Sequence, residues 1–118
     1  MDWARQKIEP SGVPSFHLNV PDQGYAWWYV DVLCPEESLG MTLIFFLGSV
    51  FSPAYAKARR KGQGSPLAHT AVNVVLYGKR SSEWAFSEYN LGSKSLETSS
   101  LTIGPNTIRW DGDTLVIQ

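Results

Sequence analysis

The stretch Gly24-Tyr25-Ala26-Trp27-Trp28-Tyr29-Val30-Asp31 constrains this chain more than any other. It packs four aromatic residues into five positions and ends on a carboxylate. Rings of that size bury large apolar areas and dominate the core they enter, so the segment cannot be a solvated loop. Aromatic and β-branched residues with no Gly or Pro from Tyr25 onward predict a strand rather than a helix. Alternation then sends Tyr25, Trp27, Tyr29 and Asp31 to one face and Ala26, Trp28 and Val30 to the other. The second set is plain core. The first is amphipathic, with polar-tipped rings and an acid at the end, and function is expected there.

A chain of 118 residues has room for one domain. An apolar fraction of 43% and an aromatic fraction of 13% mark it as globular, and a formal charge of −1 offers no global attraction for nucleic acid. The one local bias is Lys57, Arg59, Arg60 and Lys61. With Cys34 as its single cysteine the chain has no internal disulfide, which fits a reducing, cytoplasmic setting. No apolar run approaches the ~18 residues that a membrane-spanning helix requires.

Residues 1–23 carry Pro10, Gly12, Pro14 and Pro21 and read as an extended arm, with an edge strand where Phe16, Leu18 and Val20 alternate with His17 and Asn19. Residues 24–118 read as a β domain. After a turn at Cys34–Ser38, Met41 to Leu47 is a strand apolar on both faces, with Leu43, Phe45 and Leu47 opposite Ile44 and Phe46. Ser52-Pro53 is a helix start, and a short helix from Pro53 to Lys61 follows, its cations in the last turn and Gly62 beyond. Leu67 to Tyr77 returns as strand, its mixed face holding Ala71, Asn73, Val75 and Tyr77. Trp84 to Glu88 and Ser99 to Ile103 are short strands, with an exposed loop over 90–97 between them. A final hairpin turns at Asp111-Gly112, so that Trp110 opposes Asp113 and Ile108 opposes Leu115. Gln118 ends an apolar strand without a cap, which suggests a fragment or a truncated reading frame.

GYAWWYVD, then MTLIFFLGSVFSPAYAKARRKG, HTAVNVVLYG and IGPNTIRWDGDTLVI, resemble the first part of the carotenoid 1,2-hydratases, or hydroxyneurosporene synthases, over residues 20–118. Shorter echoes of the Trp-Trp-Tyr strand occur in lipocalin-like relatives. The resemblance implies an antiparallel lipocalin-like barrel or curved sheet with one short helix, here incomplete. It also implies addition of water to the terminal 1,2 double bond of an acyclic carotenoid such as neurosporene or lycopene, a step of carotenoid biosynthesis.

The residues themselves carry few standard signatures. There is no G-x-S-x-G, P-loop or G-x-G-x-x-G, and His17 and His69 alone form no metal pattern, so no cofactor is expected. Hydrating an unactivated alkene needs a proton delivered to one carbon and water added to the resulting cation. A protonated carboxylic acid supplies the first, worth ~10²–10⁴ in rate. Aromatic faces stabilise the second by about 0.5–2 kcal/mol each. Asp31 is accordingly the candidate acid, with Tyr25, Trp27 and Tyr29 lining the substrate and Asn73 orienting a water. A catalytic aspartate beyond Gln118, with Asp31 only architectural, stays open. So do a non-catalytic module that binds a hydrophobic ligand and another protonation reaction of polyenes, such as cyclisation. For Lys57, Arg59, Arg60 and Lys61 the choices, in order, are a solvated helix end, peripheral contact with lipid headgroups and, a distant third, nucleic acid.

Overall fold

The computed structural model describes residues 15–91 and 97–118. Four strands follow one another as an antiparallel meander in the order of the chain: β1 (Ala26–Cys34), β2 (Leu39–Leu47), β3 (Thr70–Tyr77) and β4 (Ser82–Tyr89). A second antiparallel sheet holds β5 (Ser100–Ile103), β6 (Asn106–Asp111) and β7 (Thr114–Ile117). The single α-helix among the described residues, α1 (Pro53–Arg60), lies in the connection between β2 and β3. The fold is mostly β, as expected. It forms two open sheets rather than a closed barrel among the described residues.

The expected alternation of β1 decides where the core lies. Trp28 is buried together with Leu43, Phe45 and Leu47 of β2 and Val72 of β3, all on one face of the larger sheet. Leu101, Ile103 and Ile108 of the smaller sheet complete this cluster. Burying each such side chain is worth about 1.5–3 kcal/mol, so the two inner faces hold the chain together. Phe16 enters the same core, its ring edge-on to Trp28 at 5.5 Å and stacked near Trp110 at 6.5 Å. The segment around Phe16 keeps its expected alternation, with Leu18 and Val20 half-buried and His17 and Asn19 exposed, but it is not a strand. The Phe16 N–H bonds to the Thr98 carbonyl at 2.8 Å. The expected arm over residues 1–14 lies outside the described residues, as does the 92–96 part of the loop.

Local chemistry sets the turns. Pro35–Glu37 forms one 3-10 turn, and Ser38 reverses the chain at φ 53 while its N–H bonds to the Pro35 carbonyl. The Ser52 hydroxyl caps α1 by accepting from the Tyr55 N–H at 3.2 Å, with Pro53 at the first position, as the sequence predicts. Two expectations need correction. The strand expected from Leu67 begins only at Thr70, because Pro66–Ala68 is taken by a 3-10 turn that Pro66 opens. In the last hairpin Asp111 pairs with Thr114 and Trp110 with Leu115, two residues off the expected register. The loop is Gly112-Asp113, with Gly112 at φ 61 in its first position, a Gly-X turn instead of an Asp-Gly turn. An even shift leaves side chains on their faces, so Ile108, Trp110, Leu115 and Ile117 still pack together against the core.

Candidate functional site

The outer face of the larger sheet collects every residue that the sequence singles out for chemistry. Register places Tyr29, Ile44, Asn73 and Phe86 in one row across the four strands. The next row toward the end of β1 is Asp31, Thr42, Val75 and Trp84, and the row on the other side is Trp27, Phe46, Ala71 and Glu88. Period-2 geometry points all these side chains away from the core.

Rings on this face touch in sequence. Tyr25 stacks on Trp27 at 5.5 Å, Trp27 meets Phe46 at 6.4 Å, and Phe51 stands edge-on to both Phe46 at 5.4 Å and Phe86 at 6.4 Å. Phe86 in turn stacks beside Trp84 at 6.3 Å. Phe46 is buried beneath its neighbours, whereas Tyr29, Phe51 and Trp84 are 55%, 62% and 69% exposed. A ring path with these exposures is an apolar surface open to a ligand or to further chain.

The polar groups are placed among the rings. Thr42 donates to Asp31 Oδ1 at 2.7 Å, fixing the carboxylate on the sheet, and Asp31 itself is exposed. The Trp84 indole N–H donates to Asn73 Oδ1, so the buried Asn73 anchors a ring that otherwise projects into solvent. Asp31 and Trp84 belong to one cross-strand row, while Asn73 lies in the row beside it.

At one end of the face α1 is pinned by Tyr55, which is 1% exposed and donates its hydroxyl to the Gly24 carbonyl. Burial is the main cause that pushes the Tyr55 phenol above its ordinary value; Arg59 pulls it down and Asp22 pushes it up. Gly48, at φ 69, lets the backbone pass this junction, since a Cβ there would stand 2.5 Å from the Gly24 carbonyl. The Arg59 guanidinium lies 6.0 Å from the Tyr25 ring centre and 5.8 Å from that of Tyr55.

Tyr25, Trp27, Tyr29, Asp31 and Asn73 thus share one surface. Sequence reasoning left out Thr42, Phe51 and Trp84 as members of it. The signal for Trp84 was its alternation with Phe86; Thr42 and Phe51 required the register of β1 on β2 and the path of the loop after Gly48. His69 sits under α1, its ring 5.1 Å from that of Tyr55, away from Asp31. An open groove of about 410 Å³ lies at the far end of the sheet, with Val32, Cys34, Met41 and Leu76 of the inner face among its lining. None of the five predicted residues lines it.

Residues 43–118 match the sequence profile of the carotenoid hydratase CrtC family. An acyclic carotenoid 1,2-hydratase of Thiocapsa roseopersicina is 44% identical over 110 residues, which is 93% of this chain and 27% of the relative. One from Rubrivivax gelatinosus is 38% identical over 109 residues, 91% of this chain and 27% of the relative. A third, from Cereibacter sphaeroides, is 36% identical over 78 residues, 64% of this chain and 26% of the relative. The chain therefore spans about a quarter of the length of these relatives, 27% for the first two. No solved structure matches it. A profile match across most of the chain, and relatives whose matched stretches cover 93% and 91% of it, establish that the chain belongs to the carotenoid hydratase family.

Proposed function

We propose that this chain supplies a polyene-binding wall of an acyclic carotenoid 1,2-hydratase, and that its outer aromatic face takes the terminal isoprene unit of the substrate. The observation that carries this reading is the coincidence of a continuous ring path with a carboxylate on one side of one sheet. Tyr29 precedes Asp31 on the same face of β1, while Trp84 stands in the row of Asp31 but on β4, three strand spacings or about 14 Å away. An alkene end lying over Tyr29 therefore meets the carboxyl group, and the rest of the polyene runs across the sheet toward Trp84.

The proton of the Asp31 carboxyl adds to C2 of the terminal double bond, and the π pair forms the new C–H bond. The positive charge develops at C1, a tertiary centre carrying two methyl groups. The facing rings stabilise it by about 0.5–2 kcal/mol each. Water then forms the C1–O bond and loses a proton to the Asp31 carboxylate, which restores the acid. The product is a 1-hydroxy-1,2-dihydro carotenoid, and no electrons are exchanged. Asp31 is exposed, so this role requires the substrate or further chain to cover the carboxyl and exclude bulk water.

The test is incubation of the chain with lycopene and neurosporene, chromatography for 1-hydroxy products, and Asp31→Asn in parallel, with near-UV circular dichroism confirming both folds. Product that falls by ~10²-fold or more in the variant supports the assignment of Asp31. Equal product from both places the working acid elsewhere.

The groove favours a second reading, a non-catalytic module for a hydrophobic ligand. Its volume of about 410 Å³ falls within the ~300–1,000 Å³ typical of ligand pockets, and it lies away from Asp31. Polyene binding that survives Trp84→Ala but is lost in Leu76→Asn would favour it.

A further inference from the structure

The α1 end of the molecule combines two features that the hydration chemistry does not use. Lys57, Arg59, Arg60 and Lys61 are all exposed, and among the described residues no ion pair engages them. Among the described residues Asp22 and Glu88 are the acids placed toward this end, so there four cations stand against two carboxylates on a chain whose overall formal charge is −1. Beside the cations stand exposed apolar side chains, Val50 at 42% and Phe51 at 62%, together with Tyr25 at 37%. Arg59 joins the two groups, because its guanidinium lies over Tyr25, which begins the ring path to Trp27, Phe46 and Phe51.

A solvated helix end needs cations alone. Cations grouped beside exposed rings are the pairing that a lipid surface recognises: phosphates meet the ammonium and guanidinium groups while aromatic side chains settle at headgroup depth. Duplex nucleic acid would use the charge and leave Val50 and Phe51 in water.

We propose that the α1 end is a peripheral contact for an anionic bilayer. Lys57, Arg60 and Lys61 face the headgroup phosphates, Tyr25 and Phe51 lie at the interface, and Arg59 stays over its tyrosines. The aromatic face then begins at the membrane surface, where an insoluble polyene is concentrated. The contact stands on charge and ring exposure alone and does not depend on which reaction the face performs.

The test is co-sedimentation of the 118-residue chain with vesicles of phosphatidylcholine, or of phosphatidylcholine mixed with phosphatidylglycerol. The expected result is binding to the anionic vesicles only, weakened as salt is raised. In K57Q/R60Q/K61Q, with circular dichroism unchanged, the partition coefficient should drop on the order of 100-fold. Phe51→Ser should lower it further without altering the salt dependence. Equal binding to neutral vesicles, or binding by the triple variant equal to that of the parent, would overturn the proposal. Complete competition by millimolar inorganic phosphate would also overturn it, in favour of a small-anion site. Retention of duplex DNA without retention of vesicles would overturn it in favour of nucleic acid.

Discussion

Asp31 and Thr42 form a hydrogen-bonded polar pair on the outer face, at the position where we propose the working acid. The Thr42 hydroxyl is buried and donates to Asp31 Oδ1 at 2.7 Å, so Thr42→Val removes one hydrogen bond with little change of shape. We expect a loss of about 1 kcal/mol in urea unfolding. If Asp31 delivers the proton, the pH profile of product formation shifts as well, which a merely structural role would not produce. Tyr55 gives a separate, pH-dependent expectation. Its folded phenol is held above the ordinary value of 10.0, chiefly by burial, so the fold favours the neutral form. That contribution is fully present below about pH 10 and is lost as pH rises through the raised value. Stability should therefore decline on the alkaline side. Tyr55→Phe should flatten that decline and lower stability at neutral pH by about 1–2 kcal/mol, because the Gly24 carbonyl loses its donor. Alkaline denaturation followed by tyrosinate absorbance checks both. At this scale the sequence was partly legible: alternation put Tyr25, Trp27, Tyr29 and Asp31 together, but which neighbours they meet depends on pairing across strands, which no local pattern records.

Elements were more readable where a single residue dictates geometry. Ser52-Pro53 announced α1 through its cap and its fixed φ, and the helix starts at Pro53. Ser52→Ala should cost about 1 kcal/mol, seen as a lowered Tm. Gly48→Ala should cost more than Ser52→Ala, since it combines a left-handed φ with a Cβ pressed on the Gly24 backbone, and a backbone atom cannot swing aside. The last hairpin was legible in part. Its faces follow from the spacing of Ile108, Trp110, Leu115 and Ile117, but Asp111-Gly112 and Gly112-Asp113 are both acceptable turn pairs. The structure takes the second, which sets Trp110 opposite Leu115 rather than Asp113. Leu67 and Ala68 misled because their apolar character suits a strand, whereas Pro66 sets a helical φ and the Ala68 N–H closes a turn on Ser65.

Across the whole molecule the larger sheet separates a closed side from an open one. Phe45 is 1% exposed between the two sheets, and Phe45→Ala should destabilise by about 3–5 kcal/mol. Trp84→Ala, on the open side, should cost less than Phe45→Ala, about 1–2 kcal/mol because the buried Asn73 Oδ1 loses its donor, while weakening polyene binding, so unfolding and ligand titration separate the two faces. The same division gives the protein two optical environments. Trp27 and Trp28 are neighbours in the chain, yet their rings leave the strand in opposite directions, and Trp28 keeps 7% of its surface in water against 69% for Trp84. An indole inside the core emits toward the blue and is shielded from aqueous quenchers, while one on the surface emits toward the red and is quenched at once. Variants that retain Trp28 alone or Trp84 alone would therefore let fluorescence report separately on melting of the interior and on arrival of a ligand or bilayer at the outer wall.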